Sequence, residues 1–117
     1  MAAPNIVAVS NIKGKTAVLV VTTSATAIVS NTAASGKDLK INSLYVSNVD
    51  GVNAGILTVD IFRSSVAYRM GLSISIPAAS TLDVISKAVY LEEGDSLRLT
   101  ASATLDLEAV CSYEEIT

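Results

Sequence analysis

Apolar and polar residues alternate along most of this chain with a period of about two, the repeat of a strand whose two faces meet different surroundings. Leu57, Val59 and Ile61 alternate with Thr58, Asp60 and Phe62. Tyr68, Met70, Leu72, Ile74 and Ile76 alternate with Arg69, Gly71, Ser73 and Ser75. Leu97, Leu99 and Ala101 do so with Arg98, Thr100 and Ser102. Leu105, Leu107, Ala109, Cys111 and Tyr113 do so with Asp106, Glu108, Val110 and Ser112. Each run predicts a strand with one face in a core and one in water. Leu57, Val59, Ile61, Leu72, Ile74, Leu97, Leu99 and Leu107 are the expected core. No comparable stretch carries a helical period.

Two segments depart from the alternation. Leu39 and Ile41 share one parity, Leu44 and Val46 the other. A β-bulge near Asn42 and Ser43 reconciles them; burial of both faces is the alternative. Further upstream, Val18, Leu19, Val20 and Val21 are consecutive and cannot all face one core. Turn residues punctuate the runs at 33–37, 48–55, 77–80 and 92–95, with Gly94 expected at positive φ. About eight or nine strands at spacings of about 8–12 residues indicate an all-β fold. The expected architecture is an antiparallel β-sandwich, jelly-roll-like, with residues 1–117 as a single domain.

Composition sharpens this picture. Half of the 117 residues are apolar, yet there is no Trp and one Phe, so the core must be aliphatic. Tyr68 and Tyr113 follow core parity, whereas Tyr45 has the parity opposite to Leu44 and Val46 and belongs on the surface. The net charge is −3, and the basic residues are scattered, without the clustered footprint of a nucleic-acid binder. The longest strictly apolar run, 17–21, is too short to span a membrane, and the first residues lack the pattern of a signal peptide. The one cysteine, Cys111, excludes an intrachain disulfide, and its phase with Leu107 and Ala109 marks it as a core thiol.

Candidate chemistry is sparse. The chain has no His, which removes the commonest general base and metal ligand and makes Ser-His-Asp and Cys-His arrangements impossible within one chain. Asp50, Gly51, Val52 and Asn53 lack the carboxylate spacing of a calcium loop and read as a turn. Glu92, Glu93 and Asp95 read as a solvated turn, and Gly36-Lys37 lacks the remainder of a phosphate loop. No catalytic, cofactor-binding or metal-binding residue is assigned, and an enzyme is the least favoured reading. What remains is surplus apolar surface. Ile6, Val18, Val20 and Tyr45 are the interface candidates, and self-association into a homo-oligomer is expected.

Several segments carry a resemblance. They are Ser47-Asn48-Val49-Asp50-Gly51, Thr81-Leu82-Asp83-Val84-Ile85-Ser86-Lys87, Tyr90 through Leu99, and Ser112-Tyr113-Glu114-Glu115-Ile116. Together they resemble small virion structural proteins of tailed phages, especially marine ones, over nearly the whole chain. The resemblance implies a virion component made in the host cytoplasm, with the major capsid protein or another virion protein as partner. A capsid decoration or cement protein is the expected role, with a neck, tail or fibre component as the alternative. It also suggests a trimer, since decoration proteins often sit at three-fold positions. A carbohydrate-binding sandwich that reads host glycans is a reading of a different class, and the scarcity of aromatic residues counts against it.

Overall fold

The computed structural model of the protein describes residues 10–103 and 106–117. Nine strands occur among them, in the order β1 Ile12–Val20, β2 Thr26–Ser30, β3 Asp38–Asn48, β4 Gly55–Arg63, β5 Val66–Ile76, β6 Thr81–Asp83, β7 Val89–Leu91, β8 Ser96–Ala101 and β9 Leu107–Ile116. They form two antiparallel sheets packed face to face. One has the order β1-β9-β3, with β6 and β7 both on the far side of β3. The other has the order β2-β8-β4-β5. No helix occurs among the described residues.

The core between the sheets is aliphatic, as the composition requires. Ile41, Leu44, Val46, Leu57, Ile76, Leu91, Leu97, Leu99 and Leu107 are essentially inaccessible, and Val59, Ala109 and Cys111 pack among them. Burying an aliphatic side chain of this size contributes roughly 1.5–3 kcal/mol before conformational entropy is set against it.

The expected parity change in β3 is a bulge. The ladder between β3 and β9 slips by one residue between Ile41 and Ser43, leaving Asn42 exposed and returning Leu44 and Val46 to the core. The far edge of β3 is covered in two pieces. β7 pairs with Leu39–Ile41 and β6 with Tyr45–Ser47. Between them, Val84 N–H donates to Leu44 O at 2.9 Å, and Ile85 is buried.

β5 corrects the sequence reading. Its single alternation places Leu72 in the core, but Leu72 is 66% exposed. Against β4, β5 carries one extra residue between Ile74 and Gly71 and another between Gly71 and Arg69. Ser73, at φ 54, belongs to the first of these bulges, which turns Leu72 outward. A Cβ at Gly71 would overlap Ile74 Cδ1, so a larger residue there requires the Ile74 side chain to move. Tyr68, also expected in the core, stands opposite Ile61 at the sheet margin and is 58% exposed. Ile61, Ile74 and Tyr113 are half-buried against the core, a partial form of the expected burial.

The two ends of the sandwich are closed by polar residues. Asn31, buried, donates from Nδ2 to Lys37 O and Leu91 O, at 2.9 and 3.0 Å. At the opposite end Asn48, also buried, donates to Asn53 O and Ile76 O and accepts from Asp50 N–H. Such side chains replace the ladder bonds that loops lack.

Candidate functional site

The strongest candidate is the outward face of the five-stranded sheet. β1 pairs with β9 without a break in register, so Val18 lies opposite Val110. Across β9, Val110 lies opposite Tyr45 of β3. The three side chains thus form one apolar row over three strands, 75%, 41% and 47% exposed respectively. The next row consists of Val20, Glu108, Ser47 and Thr81. Here Val20 is exposed, and the Ser47 and Thr81 hydroxyls lie 2.7 Å apart. A charged row, Lys40 and Glu114 with 3.9 Å between charged atoms, runs beside Tyr90 on the same face. Val18, Val20, Glu108 and Val110 border a shallow, open depression.

Three of the interface candidates are therefore brought together: Val18, Val20 and Tyr45 share one face, with Val18 and Tyr45 in one row. Ile6 lies outside the described residues. Val110 was missed, although it is an apolar residue in the polar phase of its strand and so carried a signal.

Two ion-pair clusters flank this sheet and the hairpin of β4 and β5. Glu115 bridges Lys15 and Lys37, each at 3.1 Å. The two ammonium groups, Lys37 first, hold its carboxyl below the usual range, and Glu115 in turn raises Lys15. The second cluster is centred on Asp95, which is 2% exposed. It accepts from Arg63 Nε at 2.8 Å and Nη2 at 2.5 Å, and from Glu92 N–H at 2.8 Å. The Arg63 guanidinium is the main cause of the lowered pKa of Asp95, with burial opposing it. A two-point contact of this kind fixes geometry as well as charge. Asp60, buried, accepts from Arg98 Nε at 2.8 Å, and that guanidinium stacks 4.0 Å above Phe62.

The remaining candidate groups have structural partners. Asp50 Oδ1 accepts from Val52 N–H and Asn53 N–H, which lowers its pKa and closes the turn around its own carboxylate. Glu92 is tied to Arg63, and Glu93 accepts from Gly36 N–H. Gly94 has φ +90, as its turn requires. Cys111 is fully buried, and desolvation pushes its thiol up to about 11, where it is a poor nucleophile at neutral pH. Among the described residues no cluster of three acidic, His or Cys side chains is arranged to hold a metal ion.

No protein-family model matches this sequence. None of the curated proteins is significantly similar to it.

Proposed function

We propose that this chain is a structural binding protein of a tailed-phage virion, most simply a capsid decoration or cement protein. The carrying observation is the Val18–Val110–Tyr45 row, an ordered apolar strip on the outward face of a sheet whose core is complete without it. Such strips mark contacts with other macromolecules, and a tyrosine at the centre of a contact supplies large area at low entropic cost. The fold supports the same reading. If β6 and β7 are taken as one interrupted strand, the two sheets become 1-9-3-6/7 and 2-8-4-5, an order that supports reading the sandwich as jelly-roll-like. The resemblance of the turn and strand segments to small virion proteins supplies the biological setting.

In mechanism, the protein adds contacts across a seam between shell subunits. Because it binds the assembled lattice and not the separated subunits, it shifts the equilibrium toward the shell by mass action. Co-sedimentation of the purified protein with assembled phage shells, followed by electron microscopy of the decorated particles, tests this. The expected result is saturable binding that Tyr45→Ala combined with Val18→Glu abolishes. Absence from native particles and from assembled shells overturns it.

The glycan-binding reading retains one favourable observation: Tyr45 and Tyr90 are exposed on the same outer face. Glycan-array binding that disappears in Tyr45→Ala selects that reading over the virion one.

A further inference from the structure

We infer that the free edge of β1 is a self-pairing edge, through which two copies of the chain join their five-stranded sheets in antiparallel fashion about a two-fold axis at Thr16. The backbone phase is fixed by the bonds at either end of the strand. Asn11 and Thr117 exchange N–H···O bonds at 3.2 and 2.9 Å, and Val21 N–H donates to Leu107 O at 2.9 Å. In an antiparallel ladder such directions alternate, so the odd-numbered residues of β1 are bonded to β9. Ile12, Gly14, Thr16, Val18 and Val20 then point their N–H and C=O groups away from it. Among the described residues no strand pairs with that side of β1.

Sheet edges of this length are normally blunted by bulges, charges or proline. β5, the longer edge strand of the other sheet, has two bulges and Arg69. β1 has an unbroken register over nine residues, and the residues whose backbone is free are all uncharged. Its two lysines, Lys13 and Lys15, belong to the opposite parity and point toward the other face of the sheet. Lys15 is paired with Glu115, which it shares with Lys37.

The occupant follows from the side chains themselves. In a two-fold pairing centred on Thr16, Val18 of one copy lies opposite Gly14 of the other, Val20 opposite Ile12, and Thr16 opposite itself. Val18 is the most exposed residue of the outer row at 75%, and Gly14 has nothing within 4 Å of where a Cβ would sit, so the protruding side chain meets an open site. Val20 and Ile12, 45% and 54% exposed, cover each other. Lys13 falls opposite Leu19 and Lys15 opposite Ala17, so no like charges are directly opposed. The register thus satisfies the outer backbone groups, covers the exposed apolar side chains and sets no like charges directly opposite, using one strand alone; the two Lys15 side chains are diagonal neighbours, each paired with its own Glu115. The contact is isologous and closes at two copies. It also places two Val18–Val110–Tyr45 rows side by side on one extended sheet.

Sedimentation of the purified chain at high micromolar concentration tests the pairing without any virion component, so its failure is distinct from failure of the virion role. A dimer is expected. Thr16→Lys, which sets two ammonium groups across the axis, should remove the dimer while leaving the circular dichroism spectrum unchanged and, at concentrations where the wild type is dissociated, the melting temperature as well. A hydrogen-bonded antiparallel pair holds its Cα atoms about 5.5 Å apart, within the roughly 4.4–6.8 Å that a disulfide spans. Thr16→Cys should therefore link two copies on oxidation, and Val20→Cys should not; the buried Cys111 does not compete. A monomeric wild type, a trimer or other oligomer that Thr16→Lys leaves intact, or equal linking by Val20→Cys each overturns the inference.

Discussion

The two long edge strands of the sandwich were written in the same alphabet and ended in opposite states. β1 and β5 both combine aliphatic residues with isolated charges and a glycine, and each borders one sheet. β1 runs straight, with nine consecutive partners on β9 and, among the described residues, no strand on its other side. β5 is dislocated twice against β4, and each dislocation changes which side chains meet the core. The difference shows that alternation alone does not decide burial at an edge. A strand with a neighbour on one side can absorb an extra residue by bulging, and the bulge reassigns every residue beyond it. β1 keeps its pattern and displays an apolar row, whereas β5 sacrifices its pattern and blunts its edge.

The largest effect expected from disturbing this arrangement lies where β5 still reaches the core. Leu57 and Ile74 are directly paired, the first inaccessible and the second half-buried. Leu57→Ala should cost about 2–5 kcal/mol in chemical denaturation, and Ile74→Ala an amount near the lower end of that span. Equal losses would mean that Ile74 is packed as deeply as Leu57, contrary to its partial exposure.

A second, smaller effect should follow from filling Gly71. Its missing side chain is what lets Ile74 fold back over the strand after the bulge. Gly71→Ala should cost about 1–3 kcal/mol through displacement of Ile74, the usual range for overpacking. Combining it with Ile74→Ala should recover part of the loss, because the clash is then gone; strictly additive losses would remove Ile74 as the cause.

Acid titration comes next, because the roots of both strands are tied by ion pairs. Asp95 holds Arg63 at the start of the β4–β5 hairpin, and Glu115 holds Lys15 within β1. Both carboxyls titrate below their usual range when folded. Their stabilisation is therefore complete above the unfolded carboxylate range and is lost progressively as pH falls from that range through the lower folded values. The effect should be smaller than either packing change, since the basic partners are partly solvated. The fall in melting temperature on acidification should be reduced in Asp95→Asn and in Glu115→Gln. An unchanged acid profile in both variants would assign the acid sensitivity elsewhere.

Much of the sandwich was legible because its central strands are buried on one face only. The alternations of β4, β8 and β9 placed Leu57, Val59, Leu97, Leu99, Leu107, Ala109 and Cys111 correctly, and the parity change at Asn42 was readable as a bulge. Tyr45 stood out because an apolar side chain in the polar phase has no place in the core, and Val18 and Val20 because four consecutive apolar residues cannot all face it. The rest was hidden by physics that does not act locally. The bulges of β5 arise from its pairing with β4, and nothing within Tyr68–Ile76 announces them except Gly71. The hairpin before β5 turns through Ser64 and Ser65, both at positive φ, a geometry usually marked by Asn or Gly. The contact between Arg63 and Asp95 joins residues 32 positions apart, and no spacing rule reaches that far. For Asn31 and Asn48, composition suggests turns, whereas their side chains are buried and hold carbonyls of other segments.

The smallest effect on stability is also the sharpest test of the contrast between the edges. Val18 and Leu72 are the most exposed aliphatic residues of β1 and β5, at 75% and 66%. Replacing either by Glu removes little buried area, so Val18→Glu and Leu72→Glu should each change the unfolding free energy by no more than about 1 kcal/mol, the span of strand propensity. Their effects on association should differ. Val18 lies in an unbroken register beside Val110 and Tyr45, so a carboxylate there sits within the apolar row and should weaken binding of the chain to its partners. Leu72 sits beside a bulge that spoils the edge for pairing, so Leu72→Glu should leave association unchanged. Sedimentation and shell binding of the two variants, compared at equal concentration, read this directly. Equal loss in both would mean that apolar exposure alone drives association; loss confined to Val18→Glu assigns it to the straight edge and its outward face.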